Sequence, residues 1–332
     1  MARSQAPAPP DSVLQAAERR SEARASRDWA TADELRAEIE AAGWRVTDAG
    51  TEFRLEPAHP ADQEVGGEIR YGRSDAVPSL LERAPTAVAT VVLVVEPGDP
   101  AASDAVRAAV QHLPAGSGLV VVGDGIDDRA ASELGSALDG GADEVTTELV
   151  RTSAVLGRAA AINAGIRRAS GAIVLVLDTS MQPTGDVVGP VVAALADPAV
   201  AIVGPLGLAT TDLRRFEEVV PRGAPGLDVA AIQGYCMAFR RDDFLERGPL
   251  DEGFRFYRNL DIWWSLVLRA GKEGGRPRRA LALPGLPVTR SEPWAWTSTP
   301  PGERDRLSKR NFYRVLDRFR DRSDLAVPAP GA

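Results

Sequence analysis

Residues 171–178 read Gly-Ala-Ile-Val-Leu-Val-Leu-Asp, five apolar residues in a row from Ile173 closed by a carboxylate. An apolar run bounded by glycine and a polar stop predicts a strand buried on both faces, with Asp178 at its carboxyl end, where open α/β sheets bind ligands. Taken alone, a turn aspartate satisfies the same pattern. The pattern recurs at 119–122, followed by Gly123-Asp124-Gly125, where glycines let the backbone approach a ligand. Between these carboxylates lies Gly157-Arg158-Ala159-Ala160-Ala161-Ile162-Asn163-Ala164-Gly165-Ile166. Small residues there allow close packing, and Arg158 and Asn163 are the polar positions among them. On a helix starting near Gly157, Arg158 falls in the first turn, where the dipole disfavours a cation. Phosphate contact explains that placement, and a solvated arginine is the competing reading.

These residues need elements to carry them. From Thr86 strand and helix patterns alternate: strands over 88–95, 118–122, 144–150 and 172–177, helices over 101–112, 130–138 and 157–169. Later strands are expected over 199–204 and 232–240, and later helices over 261–270 and 301–321. Such alternation specifies a mostly parallel sheet with helices on both faces. Before it, two helical patterns (12–25 and 29–42) are separated by Ser26-Arg27-Asp28, an N-cap signal, and closed by Gly43. A small hairpin over 44–48 and 51–55 follows. The expected organisation is a disordered lead (1–11), a helical hairpin with a β tail (12–56), a Pro/Gly-rich linker (57–86), an α/β domain (87–322) and a disordered tail (323–332).

Composition narrows the function classes. With 332 residues and 44% hydrophobic content the chain can build a full core. A net charge of -8 argues against sequence-independent nucleic-acid binding. One cysteine, Cys236, and two histidines, His59 and His112, leave neither a disulfide framework nor a His/Cys zinc cluster. Nothing at the N-terminus reads as a secretory signal, and no apolar run approaches the roughly 20 residues a membrane helix needs. The expectation is a cytoplasmic protein, with peripheral docking at the inner membrane face left open.

The order strand, Gly-Asp-Gly, then Gly-Arg-Ala-Ala-Ala-Ile-Asn-Ala-Gly-Ile through Ile-Val-Leu-Val-Leu-Asp resembles the nucleotide-binding half of family 2 glycosyltransferases of the GT-A fold, a Rossmann-like, mostly parallel mixed sheet flanked by helices. The resemblance implies that Asp124 binds the nucleotide base and that Arg158 and Asn163 lie beside the nucleotide. It also implies that Asp178-Thr179-Ser180, in the place of an Asp-x-Asp motif, holds Mg2+ or Mn2+ on the diphosphate through Asp178, with Ser180 at the donor. It continues through Gln233-Gly234-Tyr235-Cys236 and Gly248-Pro249-Leu250-Asp251-Glu252 to Asn259-Leu260-Asp261-Ile262-Trp263-Trp264. There the family carries its general base, and Asp261 is the match. A base is needed because a sugar hydroxyl must lose its proton as it attacks the anomeric carbon. A helix cap is the competing role for Asp261. Asp251, Trp263, Trp294 and Trp296 are expected on the acceptor side.

Two departures from the family bear on the metal. Ser180 is neutral where a carboxylate is usual, and hard cations prefer carboxylates. No histidine follows His112, so Ser291 or Glu292 stands where the family often has a late histidine. The implied activity is inverting transfer from a nucleotide-diphosphate sugar to a glycan, lipid or small-molecule hydroxyl. A GT-A-like binding protein without turnover and a sugar-phosphate nucleotidyltransferase are the alternatives. Residues 14–56 resemble the C-terminal helical tail of cysteinyl-tRNA synthetases, which implies a contact of Arg19, Arg20, Arg24 and Arg27 with RNA phosphates.

Overall fold

The computed structural model describes residues 8–49, 52–139, 145–219, 226–271 and 275–330, and the chain divides into two units, 1–67 and 68–332. In the first, helices Asp11–Ala25 and Trp29–Ala41 pack against the antiparallel hairpin Trp44–Ala49 and Glu52–Pro57. Its core is Val13, Ala16, Ala17, Leu35, Ile39, Trp44 and Val46. Asp28 caps the second helix by accepting from the Thr31 N–H, and Gly43 beyond the helix end takes φ +79°, the left-handed conformation glycine adopts freely. Arg20, buried, pairs with Asp48 at 2.7 Å, and Arg24 reaches the same carboxylate at 3.4 Å. Two of the four arginines considered for RNA therefore already hold an internal carboxylate.

The second unit is built on one large mixed sheet, in which strands lie in the order Leu227–Val229, Arg279–Ala282, Val200–Gly204, Cys236–Arg240, Gly171–Asp178, Ala87–Val95, Gly118–Gly123, Thr146–Thr152 and Glu68–Tyr71. Ala87–Val95 pairs in parallel with Gly118–Gly123 on one side and Gly171–Asp178 on the other. Cys236–Arg240 runs antiparallel to Gly171–Asp178. Alternate residues along the central strands enter two cores. Val92, Val94, Val120, Val122, Val174 and Val176 join helices Arg158–Arg167 and Leu260–Arg269 on one face. Val91, Leu93, Leu119, Val121, Leu175 and Leu177 join helices Ala102–His112, Asp128–Leu138 and Val188–Leu195 on the other. This two-sided burial is why the strands read as continuous apolar runs. The small residues of Arg158–Arg167 serve the close packing expected of them: a Cβ on Gly165 would stand 2.4 Å from Val92 Cγ1.

Three segments depart from expectation. The span 57–86 contains strand Glu68–Tyr71, parallel to Thr146–Thr152, and a 3-10 turn Ser74–Ala76, so part of it belongs to the sheet. Residues 232–240 are two strands, Ala231–Ile232 and Cys236–Arg240, broken where Gly234 packs on Asp261. Residues 323–330 are not loose: Leu325 is fully buried, its carbonyl accepts from Arg269 Nη1 at 2.8 Å, and Val327 bridges Thr210.

The central register positions the chemistry. Val94 stands opposite Asp178 and Val95 opposite Gly123, so three parallel strands end level. Glu96, Asp124 and Asp178 therefore share one edge of the sheet. Ala87–Val95 has its sequence successor Gly118–Gly123 on one side and the later strand Gly171–Asp178 on the other. The order in which successive strands are added reverses there, which is the switch point where open α/β sheets leave a crevice.

Candidate active site

Asp178 lies on the floor of this crevice, 8% exposed, its backbone N–H held by the Tyr235 carbonyl at 2.8 Å. Its Oδ1 accepts from the Ser180 N–H (3.0 Å) and Ser180 Oγ (2.6 Å). Its Oδ2 is 2.9 Å from Arg158 Nη2, and Arg158 is itself buried. The first-turn arginine that looked out of place on its helix thus balances the strand-end aspartate. Asp99 accepts from Thr179 Oγ1 at 2.6 Å, and Glu96 lies within reach of the charges of Arg158, Asp178, Asp124 and Asp99. Burial raises the carboxyl pKa of both Glu96 and Asp99, against the opposing pull of Arg158.

The implied divalent cation can be tested against this donor set. Such ions take several oxygen ligands and favour carboxylates. Here one Asp178 oxygen faces a guanidinium, which repels a cation, and the other is engaged by Ser180. Among the described residues no group of three His, Cys, Asp or Glu side chains is placed to hold a metal. The arrangement does not fit a divalent ion held by the protein.

Asp124 is engaged within the scaffold. It is 1% exposed, and its oxygens accept from Thr152 Oγ1 (2.9 Å) and the N–H groups of Leu156 (2.8 Å) and Gly157 (2.9 Å). The carboxylate clamps the loop that opens helix Arg158–Arg167. Gly157 takes φ +101° with a Cβ position 2.8 Å from Arg255 Cα, so the loop is seated where only glycine fits. Burial raises the Asp124 carboxyl pKa, opposed by the two backbone donors. In Asp124→Ala, Thr152 can still donate to the Ala154 carbonyl, but the Leu156 and Gly157 N–H groups lose their acceptor. The expected cost is about 2–4 kcal/mol, read as a lower urea midpoint with an unchanged m-value.

Asn163 also serves the scaffold. Its Nδ2 donates to the Leu250 carbonyl (2.9 Å) and Glu252 Oε1 (3.0 Å), and its Oδ1 accepts from the Leu250 N–H (3.0 Å). Asp251 binds Arg314 through two hydrogen bonds and accepts from the Gly253 N–H. Trp263 is core, 5% exposed, packed on Phe254, Trp264 and the Arg318 guanidinium. These three residues, expected beside the nucleotide or the acceptor, are engaged in packing and internal hydrogen bonds.

Asp261, in the first turn of helix Leu260–Arg269, opens on a cavity of about 370 Å³ that it shares with Glu218, Tyr235, Tyr257, Arg258 and Arg290. Its Oδ2 accepts from the Gly234 N–H and its Oδ1 from the Ile262 N–H, both at 2.9 Å. The Asp261 backbone N–H is a third donor, so at least one of the carboxylate's roughly four lone-pair directions stays open. Burial raises its pKa, against those donors and the Arg258 charge. Burial, reinforced by the negative charges of Asp261 and Asp178 among others, likewise raises the hydroxyls of Tyr235 and Tyr257, so the two tyrosines stand within the field of both carboxylates as neutral donors. Cys236 beside them is buried and its thiol is pushed up to about 12, which removes it as a nucleophile.

Strand Val288–Arg290 pairs with Met181–Pro183, and the Ser291 N–H donates to the Ser180 carbonyl at 2.8 Å. This brings Arg290, Ser291 and Glu292 alongside Ser180. They line a second cavity of about 410 Å³, which also has Tyr235, Tyr257, Arg258 and Trp296 in its walls. Trp296 lies between Arg258 (5.0 Å) and Arg304 (4.2 Å). Trp294 instead donates from Nε1 to the Pro97 carbonyl and covers the turn after Ala87–Val95. A third cleft, about 480 Å³, lies at the ends of Ala87–Val95 and Gly118–Gly123 and includes Glu96, Asp99, Ile126 and Arg129. Sequence reasoning missed Glu96, Asp99, Arg258 and Arg290. The first pair carries the same signal as Asp178, an apolar run stopped by carboxylates.

Residues 118–246 match the sequence model of Glycosyl transferase family 2. No curated protein sequence matches the chain. Among solved structures, GalNAc-T7 with UDP, GalNAc and Mn2+ superposes with a TM-score of 0.56 at 17% identity, over 71% of this chain and 49% of that one. The mannosyltransferase PcManGT from Pyrobaculum calidifontis, in complex with GDP-Man and Mn2+, superposes with a TM-score of 0.51 at 18% identity, over 75% of this chain and 70% of that one. The chain spans about half the length of the first of these. The fold is GT-A-like, a mostly parallel mixed sheet flanked by helices. Among the described residues, no helix is long and apolar enough to cross a membrane.

Proposed function

We propose that this chain is an inverting, nucleotide-sugar-dependent glycosyltransferase acting on a hydroxyl acceptor. The observation that carries the reading is Asp261, a half-buried carboxylate with lone-pair capacity left on a cavity whose tyrosines also feel Asp178 at the sheet edge. The matches to nucleotide-sugar transferases support it. The nucleoside would occupy the cleft at the ends of the parallel strands, and the sugar would point toward the Asp261 cavity.

In the proposed step the acceptor oxygen attacks the anomeric carbon, forming the new C–O bond as the bond to the diphosphate oxygen breaks. The electron pair leaves with the nucleoside diphosphate, and the acceptor proton passes to an Asp261 oxygen. Displacement from the opposite face inverts the anomeric centre. Raised basicity at Asp261 suits it to take that proton, and the Gly234 and Ile262 N–H groups fix its orientation. No metal-borne step enters, because the Asp178 donor set does not fit a divalent ion.

Isothermal titration of the full chain with UDP, GDP, TDP and their sugars, with Mn2+ and with EDTA, tests the reading. One nucleotide series is expected to bind and its sugar to be released or transferred; no binding under either condition overturns the proposal. Binding without release or transfer favours a nucleotide-sugar binding protein, an alternative that the Arg158–Asp178 pairing motivates.

A further inference from the structure

A departing nucleoside diphosphate carries several negative charges that something in the site must neutralise. The acidic groups at the sheet edge cannot do so, and Arg158 is already committed to Asp178. We propose that Arg258 and Arg290 form a metal-independent clamp for the donor's diphosphate, an inference that rests on the transferase reading. Both arginines line both cavities beside the Asp178 strand end, and each guanidinium sits over an aromatic ring: Arg290 lies 4.4 Å from the Tyr235 ring centroid and Arg258 lies 5.0 Å from that of Trp296. A ring under the guanidinium leaves its edge donors free, the geometry that binds phosphate oxygens in pairs. Among the described residues Arg258 makes no ion pair, and Arg290 makes one long pair, to Glu218 at 3.7 Å, in which both side chains are exposed and water screens the attraction.

Position supports the assignment. Arg290 is paired across the short sheet with Met181, three residues beyond Asp178, and the next residue is tied to the Ser180 carbonyl. It thus occupies the side of the crevice where a cation would be needed. Arg258 stands one turn before Asp261, on the wall between the proposed base and the Ser291–Trp296 side. The clamp therefore faces the leaving group while Asp261 faces the nucleophile.

The phosphoryl anion recognised could belong to the donor or to a phosphorylated acceptor, and titration separates the two. The full chain is titrated with the preferred nucleoside diphosphate, with its free nucleoside and with inorganic phosphate, each in EDTA and in Mn2+. Diphosphate binding in EDTA is expected to persist, and to weaken about tenfold in Arg258→Ala and again about tenfold in Arg290→Ala, with nucleoside binding unmoved. Arg290→Lys recovers part of the loss. Thermal melts of every variant identify any that misfold, and the wild-type comparison of EDTA with Mn2+ does not depend on them. Nucleotide binding that requires Mn2+ and is lost in Asp178→Asn overturns the clamp and leaves the transferase reading standing. Diphosphate binding untouched by both arginine variants, with phosphate binding lost in them, assigns the arginines to an acceptor and also overturns it. No binding in any condition overturns the clamp and the transferase reading together.

Discussion

Asp261→Asn is expected to lower the transfer rate by about 10²- to 10⁴-fold, the usual contribution of a positioned general base, with nucleotide affinity preserved. The amide keeps the volume and one of the two backbone hydrogen bonds to Gly234 and Ile262, but it cannot accept the acceptor's proton. Its NH2 group opposes the other backbone N–H, so a stability loss of about 1 kcal/mol accompanies the change. The pH dependence separates this role from helix capping. Burial raises the Asp261 pKa, so in the wild type kcat/KM should fall on acidification along a limb lying above the range of an exposed aspartate. Stability runs the other way. A carboxyl raised by folding contributes fully below its unfolded pKa, and that contribution is lost as the pH rises through the folded value. Acid should therefore slow the wild-type enzyme while this group adds stability, and both responses should disappear in Asp261→Asn. A residual activity within tenfold of wild type, with the acid limb unchanged, assigns Asp261 to capping alone.

The contrast between Asp261 and Asn163 shows what a sequence can carry. Strand-end carboxylates are legible because a period-2 element buried on both faces ends where its apolar run ends, so Asp178 could be placed without coordinates. The same rule applied to Val95-Glu96 would have placed Glu96. Asn163 sits on a helix that is buried nearly all round, where 3.6-residue periodicity no longer tells a ligand-facing side from a packing side. Its partner Leu250 is 87 residues away, and nothing local announces that tie. Trp263 and Trp296 are both tryptophans near helix starts, yet one lies in the core and the other between two arginines; the difference comes from the tertiary neighbours Phe254 and Arg258. Arg258 and Arg290 were illegible for a related reason: an arginine's reach and stacking partner are set by folding, and Tyr235 and Arg290 meet only because Val288–Arg290 pairs with Met181–Pro183.

Arg158→Ala is expected to be among the most destabilising single changes in the chain, costing about 3–5 kcal/mol, because it leaves Asp178 buried without a counter-charge. The two side chains are only 4% and 11% exposed, so water screens the loss weakly. The effect extends beyond the pair. Arg158 also draws the Glu96 and Asp99 carboxyls down against burial and against the Asp178 charge; without it, three acidic groups face one another across the switch point with no cation among them. The folded pKa values of Glu96 and Asp99 must then rise further above the unfolded ones. Groups shifted in that direction stabilise fully below the unfolded pKa and lose that contribution as the pH rises through the folded one. The deficit of Arg158→Ala should accordingly shrink in urea titrations near about pH 5 and grow near about pH 8. The double variant Arg158→Ala, Asp178→Asn removes both charges and should recover most of the loss, since an absent pair costs far less than a broken one. Arg158→Lys should recover less of the stability than its charge alone suggests, because the ammonium lacks the planar fork that meets Asp178 Oδ2. Equal stability of Arg158→Ala and wild type at about pH 8 would place the Arg158 side chain outside the charge balance of the sheet edge. Asp178 would then be free to take a cation, and the metal-independent clamp would lose its premise.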